Sequence, residues 1–485
     1  MGPQPDRTAR APPEPLGVSS GQAGAAGRGR AGNRSLRGGA GPAREEDRPG
    51  LSARRTAARL LGAVVDAHTP LDGLTDDEHG HPHYLALDGR DRALVRAILA
   101  TALRFRNTIG ALIATRLDRP LPANAHALSH ILHVAAAQML FLDVPDSAAV
   151  DLAVAQAKTD PRTARFANLV NAVLREIGRR KERALPAALA ATKDAPDWFV
   201  ERLEVAYGPE KAARILAMHR IEAPTDLTVK ADPEGWAGKL GGIVLPNGSV
   251  RVARPAAPIR ELLGYADGAW WVQDFSASLP ARLLGDVAGL RVADLCAAPG
   301  GKTAQLALAG ARVTAVDLSR SRLNRLAANL ARLRLEADIV QADVLTYEPG
   351  ELFDALLLDA PCSSTGTVRR HPDVPWTKSP ADIEKLADLQ RRLLNHAVGL
   401  VRPGGGIVFA NCSLDPEEGE ALVAALLSER KDVALEPLKH AEWPEIAPFI
   451  DANGMLRTTP ADLDLGDPAI SGCDGFFAAR LRRTA

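Results

Sequence analysis

The chain has 485 residues, 46% hydrophobic, and its 59 basic and 59 acidic side chains leave a formal net charge of zero. That length suggests two to four domains, and the balanced charge of the whole chain neither favours nor excludes a charged partner. Four cysteines with no CxxC pair argue against a disulfide scaffold and a Cys-rich zinc site, and favour a reducing compartment.

Residues 1–50 hold 11 Gly, 7 Pro and eight Arg against five acids. Too little apolar surface is available there to offset ordering entropy, which predicts a disordered tail. The N-terminus lacks the apolar core of a secretory signal, and Asp6 stands where myristoylation needs Ser or Thr. No apolar run reaches the ~18–20 residues of a membrane span. A cytoplasmic protein is expected.

Residues 51–185 read as all-helical. Leu60, Leu61, Val64 and Val65 fall on one face of "RTAARLLGAVVDA", and Leu94, Ile98, Ala102 and Phe105 on one face of "RDRALVRAILATALRFR". Arg90, Arg92, Arg96, Arg104, Arg106 and Arg116 against Asp91 and Asp118 make a local basic excess that suits a phosphate backbone or a solvated helix face. "HGHPH" (His79–His83) has no further Cys or His cluster nearby and reads as a surface loop rather than a metal site.

Residues 186–268 read as a linker (Pro186–Pro196) and a small α+β unit. That unit holds the helix "WFVERLEVAYG" and the strands "TDLTVKA" and "GSVRVARP". From Trp270 onward β-α alternation predicts a parallel sheet with crossover helices over 269–485.

"LRVADLCAAPGGKTAQLALAG" is a strand, a Gly-rich turn and a helix. Its helix N-terminus offers free N–H groups. "GGKT" resembles the end of a P-loop, but Cys296 stands where that loop needs Gly. Asp317 ends the second strand, placed for both hydroxyls of a ribose. Asp343 ends the third, in reach of an adenine amino group. Either alone is as readily a turn or N-cap residue. Strand ends in this order point to a nucleoside cofactor, and a short APGG turn without GxGxxG fits S-adenosylmethionine better than NAD.

The fourth strand, "FDALLLDAPCSSTG", ends with Asp359 and Cys362. The fifth, "GGIVFANCS", ends with Cys412. Neighbouring strands lie about 4.8 Å apart, so two thiols and a carboxylate should converge beside the methyl donor. A thiolate suits methylation of carbon 5 of a pyrimidine: addition at C6 makes C5 nucleophilic. "DPEEGE" should begin the next helix, with Asp415 as N-cap and Pro416 at its first position.

"DLCAAPGGKT", "DAPCSSTG", "RRHPDVPW" and "NCSLDPEEGE", with the flanking "VQDFSAS" and "MLRTTP…DGFFAARL", resemble the signature blocks of the NOL1/NOP2/Sun family of RNA cytosine-5 methyltransferases. "DRALVRAILATALRFR", "HVAAAQMLFLDVPDSAAVDLAVAQAK" and "FANLVNAVLR" resemble the NusB RNA-binding fold. Together they cover about residues 51–485. The resemblance implies an all-α NusB-like domain, a small α+β middle unit and an α/β Rossmann-like class I methyltransferase domain. It implies S-adenosylmethionine as cofactor and 16S rRNA, free or partly assembled, as substrate; a monomer without metal or membrane is expected.

By position, the resemblance makes Cys412 the nucleophile, Cys362 the residue that assists product release and Asp359 a contact to the cytosine edge. Cys296, Ala297, Ala298, Pro299, Gly300, Gly301 and Lys302 would form the cofactor turn, with Lys302 and the 297–301 stretch at the methionine end. Asp317 and Asp343 would hold ribose and adenine, and Arg322 would lie near the cofactor. Arg369, Arg370 and His371 would face RNA. Cys473 lies outside the blocks and is expected to be structural, and Cys296 to pack. Asn411 departs from the usual Thr before the nucleophile, and "TDLTVK" from the commoner middle-unit wording. The alternatives are a non-catalytic RNA-binding or assembly factor, methylation of another RNA such as tRNA, and a DNA cytosine methyltransferase in which the Pro-Cys of the fourth strand attacks.

Overall fold

The computed structural model describes residues 48–485. The tail expected over 1–50 lies, but for its last three residues, outside the described residues. The helices Leu51–Val65, Gly89–Arg104, Arg106–Ala114, His126–Phe141, Asp146–Thr159 and Ala167–Ala191 then pack around one core. Leu60, Leu61, Val64, Ile98 and Ala102 are fully buried in it, with Val65, Leu94 and Phe105 at its rim. Each of the buried Leu, Ile and Val side chains contributes about 1.5–3 kcal/mol by leaving water. Asp88 caps the second long helix by accepting from the Asp91 N–H at 2.7 Å.

The linker expected at Pro186–Pro196 is corrected. Helix Ala167–Ala191 runs through Pro186, and only Thr192–Pro196 connect it to the next helix. Proline forfeits one backbone hydrogen bond, but the alanines around it are the best helix formers and keep the helix going. Helix Asp197–His219 also outruns its predicted end. Its two halves meet at Gly208, whose φ of 73° lets the chain kink before Pro209.

Strands β1 (Thr225–Val229), β2 (Ile243–Val244), β3 (Val250–Val252) and β4 (Trp270–Val272) form an antiparallel sheet in the order β2-β3-β1-β4. The boundary at 268/269 therefore falls one strand early, because Trp270–Val272 pairs with β1 rather than opening the parallel sheet. Asp226 on β1 sits directly opposite Arg251 on β3. Their side chains form a fully buried bidentate pair at 2.7 Å. Arg251 Nη1 donates to the carbonyls of Ile470 and Gly472, so the pair also ties this sheet to the C-terminal loops.

The third part is an eight-stranded sheet of β5 (Arg291–Leu295), β6 (Arg312–Asp317), β7 (Asp338–Gln341), β8 (Phe353–Asp359), β9 (Val401–Asn411), β10 (Val433–Leu435), β11 (Leu456–Thr458) and β12 (Phe476–Arg483). The order is β10-β12-β9-β8-β5-β6-β7, with β11 paired to β12. Strands β7, β6, β5, β8 and β9 are mutually parallel, and β12 runs antiparallel beside β9. β8 reads FDALLLD because helices cover both faces of a parallel sheet. From β5 the chain first adds β6 and β7 on one side, then returns to β8 on the other. That reversal opens a crevice at the strands' carboxyl ends.

Candidate active site at the carboxyl ends of the parallel strands

β5 ends in the 296–301 turn. Cys296 there adopts a left-handed φ of 60°, and helix Gly301–Leu308 begins immediately after. Burial pushes the Cys296 thiol up to about 12 and its side chain packs against the main core, in keeping with a packing role. Beside it, Asp317 at the end of β6 accepts from the N–H groups of Ala298 (3.2 Å) and Ser319 (2.9 Å). Arg322 bridges the two elements, 3.5 Å from Asp317 and bonded to the Ala298 carbonyl. Asp343, two residues past β7, is exposed and caps a short turn by accepting from Leu345 N–H at 2.9 Å. Asp294 on β5 is fully buried. One of its oxygens accepts from Thr303 Oγ1 at 2.6 Å and the other has no partner, and burial raises its pKa to about 7.

The register of β8 on β9 sets Asp359 beside Ala410. The loops that follow bring Cys362 Sγ to 3.4 Å from Cys412 Sγ, both partly exposed. Ser364 Oγ lies 3.6 Å from Cys412 Sγ. Lys302 Nζ reaches Asp359 Oδ2 at 2.7 Å and lies over the Phe476 ring. The two thiols are unequal: the hydrogen bond from Cys362 lowers the Cys412 pKa below that of an ordinary thiol, and the same bond together with burial raises that of Cys362.

The loop carrying Cys412 is held from several sides. Asp415 accepts from Glu417 N–H, with Pro416 first in a 3-10 turn ahead of helix Glu420–Glu429. The predicted cap thus serves this turn rather than the helix. Arg202 grips Asp415 through two nitrogens, Tyr207 donates to the Leu414 carbonyl at 2.6 Å, and Arg457 donates to that of Ser413. Cys473 is buried and bonds the Thr459 carbonyl, as a structural thiol should.

Of the three residues expected to face RNA, Arg369 and Arg370 are engaged inside the protein, while His371 stays partly exposed. Arg369 is buried and donates to the carbonyls of Ile221, Glu222 and Ser471. Arg370 pairs with Asp274 and Asp474, and His371 with Asp72. The "RRHPDVPW" segment is a joint between the three parts of the chain. Leu71 N–H bonds Asp373, Trp376 donates to the Leu103 carbonyl, and Arg104 donates to those of His219 and Arg369. Arg106 lies over the Trp376 ring. Of the basic run at 90–116, Arg90 and Arg96 remain exposed.

Two groupings were not foreseen from the sequence. Ser363, Ser413 and Glu418 form a buried polar mesh behind the thiols. They fall inside the signature blocks, and a serine after each cysteine was the available signal. Asp66, His126 and His130 converge at the end of the first helix, where His130 Nε2 bonds Asp66 at 2.8 Å. Spacing of i, i+4 on one helix was legible, but the carboxylate from another helix was not. The "HGHPH" stretch lies in a loop and short turn, where His81 accepts from the His83 N–H.

A class I Rossmann-like sheet, a Gly-rich turn after its first strand and acids on the following strand ends define the methyltransferase class. A family model described as "16S rRNA methyltransferase RsmB/F" matches residues 282–482, and the NusB family model matches 51–179. "Ribosomal RNA small subunit methyltransferase B" of Klebsiella pneumoniae is 33% identical over 449 residues, 89% of this chain and 98% of that one. Its namesake from Salmonella arizonae is 36% identical over 447 residues, 88% and 98% of the two chains. The chain belongs to the RsmB/F methyltransferase family, in the form that carries an N-terminal NusB domain. Its fold resembles the crystal structure of PH0851 (TM-score 0.67, 22% identity, 90% and 98% of the two chains). It also resembles NSun6 from Pyrococcus horikoshii (TM-score 0.51, 21% identity, 60% and 98% of the two chains).

Proposed function

We propose that this protein methylates carbon 5 of a cytidine in small-subunit (16S) rRNA through a covalent Cys412–C6 adduct. The observation that carries the reading is the Cys362–Cys412 pair, 3.4 Å apart, beside Asp359. The family membership and the relatives' names support rRNA as substrate.

The crevice fits S-adenosylmethionine. Its polar groups are carboxylates on successive strand ends, suited to ribose hydroxyls and amino groups, with the unpartnered Asp294 oxygen close behind the turn. Lys302 and the 297–301 turn would hold the methionine end, Asp317 and Asp343 the nucleoside, with Arg322 bracing the turn. The bound cofactor supplies an electrophilic methyl group.

Cys412, the more acidic thiol, attacks C6. The S–C6 bond forms, the C5=C6 π bond breaks, and its electron pair becomes available at C5. Asp359 faces the N3/N4 edge of the cytosine, where its carboxylate accepts from the N4 amino group and orients the ring. After methylation a base takes the C5 proton, the C–H electron pair restores C5=C6, and the S–C6 bond breaks to return its pair to Cys412 as thiolate. Cys362 serves this elimination.

The test is incubation of the protein with labelled S-adenosylmethionine and unmodified 16S rRNA. Label at cytosine C5, lost in Cys412→Ala, is expected, as is an accumulated protein–RNA adduct in Cys362→Ala. Undiminished transfer by Cys412→Ala would sink the reading. Bisulfite sequencing of rRNA from cells lacking the protein identifies the nucleotide.

A further inference from the structure

Glu418 lies six residues beyond Cys412, fully buried, and its carboxylate receives four hydrogen bonds. One oxygen accepts from Ser363 N–H (2.9 Å) and Gln390 Nε2 (2.7 Å); the other accepts from the hydroxyls of Ser363 and Ser413. Ser363 directly follows Cys362, and Ser413 directly follows Cys412. We propose that Glu418 is a positioning residue that clamps the two cysteine-bearing loops together and so sets the distance and orientation of the thiols. This deepens the cytosine-5 reading and rests on it for the catalytic consequence.

All four donors are neutral, so a carboxylate is buried here with hydrogen bonds as its compensation. A loop junction that needed only packing would be met more cheaply by apolar side chains. Burial raises the Glu418 pKa while the bonds oppose it, so the clamp weakens on the acid side as the carboxyl protonates. The surrounding bonds run between the same two loops. Ser363 and Ser413 hydroxyls are 3.1 Å apart, Thr365 Oγ1 accepts from Leu414 N–H, and Gly366 N–H bonds the Cys412 carbonyl. Asn411 joins in by donating to the Glu418 carbonyl at 2.6 Å and accepting from Ser413 N–H at 3.0 Å. A two-oxygen side chain is required: one oxygen alone cannot take all four donors. The thiols are held 3.4 Å apart, wider than the ~2.05 Å of a disulfide, so any loosening changes how readily they meet.

The test compares full-length wild type, E418Q and E418A in two arms. In the first, without RNA, the rate of Cys362–Cys412 disulfide formation is followed by mass spectrometry in a glutathione buffer, with S-adenosylhomocysteine binding as the check on folding. A change of about tenfold in E418A and a smaller one in E418Q, with binding retained, is expected for a displacement of this kind. In the second, single-turnover adduct formation on 16S rRNA is measured with Cys362→Ala present. A loss of about 10²-fold in E418A, partly restored in E418Q, is expected for a 1 Å misplacement. Where E418A does not fold, E418Q and the S363A/S413A double variant carry both arms. Equal disulfide rates in wild type and the folded variants overturn the proposal, whatever happens on RNA. A Cys362→Ala protein with Glu418 intact that forms no adduct, while the disulfide rate of the Cys362-containing protein still depends on residue 418, overturns the catalytic reading and leaves the clamp standing.

Discussion

Lys302 Nζ lies 2.7 Å from Asp359 Oδ2, joining the start of the Gly301–Leu308 helix to the end of β8 across the crevice. The cofactor side and the proposed cytosine side of the site thus share one ion pair. Lys302→Met leaves Asp359 without its cation. S-adenosylmethionine binding is expected to weaken by about 10- to 100-fold, the worth of one charged hydrogen bond. Asp359→Ala should instead lower kcat, with cofactor affinity changed less. Calorimetry with the cofactor and single-turnover methylation separate the two.

Cys412 owes its lowered pKa first to the hydrogen bond from Cys362. Removing that donor in Cys362→Ala returns Cys412 toward ordinary thiol behaviour, so its thiolate fraction at neutral pH falls. Iodoacetamide should then alkylate Cys412 more slowly at pH 7, and the pH–rate curve should move to higher pH. Peptide mass spectrometry across a pH series reads both. Faster alkylation in the variant at every pH would contradict the hydrogen-bond account, although greater access works in that direction and is controlled with Cys362→Ser.

Arg369 holds three backbone carbonyls from inside the joint. Arg369→Met leaves these acceptors buried without a donor, at a cost of about 2–5 kcal/mol in stability. Urea unfolding measures it. The dependence of RNA affinity on salt should stay close to that of wild type, since no phosphate contact is lost.

His371 has its pKa raised by the hydrogen bond to Asp72, and the same bond lowers that of Asp72. For His371 the folded value lies above the unfolded one. Its contribution is fully present below the unfolded pKa of about 6.5 and is lost as pH rises through the folded value. Asp72 behaves oppositely: its contribution is present above its unfolded pKa of about 4 and is lost as pH falls through the lowered value. The joint between the helical domain and the "RRHPDVPW" segment should therefore be tighter at pH 6 than at pH 8. Hydrogen exchange at residues 71–74 is expected to slow at the lower pH, and His371→Gln should remove the difference.

The helical stripes, the strand–turn–helix of 290–310 and the order of strand-end acids and thiols were legible because each follows from local period or from the rule that ligands sit at strand carboxyl ends. The errors have physical causes. Pro186 reads as a breaker, yet the alanines beside it outweigh one lost hydrogen bond. Trp270–Val272 looks like the opening of the large sheet, but a three-residue strand carries no signal of which sheet it joins. The resemblance alone assigns Arg369 and Arg370 to an RNA face, and it carries no record of what each side chain is bonded to. Their acceptors come from residues 221–224, 274 and 471–474, too distant in sequence to be seen.

The sequence by itself determined the class of protein: a helical stripe pattern followed by a strand–turn–helix and ordered strand-end acids is local period and strand order, both written in the chain. Only the tertiary structure decided what each group is bonded to. It made Cys412 the more acidic thiol, paired Lys302 with Asp359, turned Arg369 and Arg370 into members of an internal joint, and set Glu418 between the residues that follow the two thiols. Arg369 and the Ile221 carbonyl it holds are 148 positions apart, and hydrogen bonds are satisfied in space rather than along the chain.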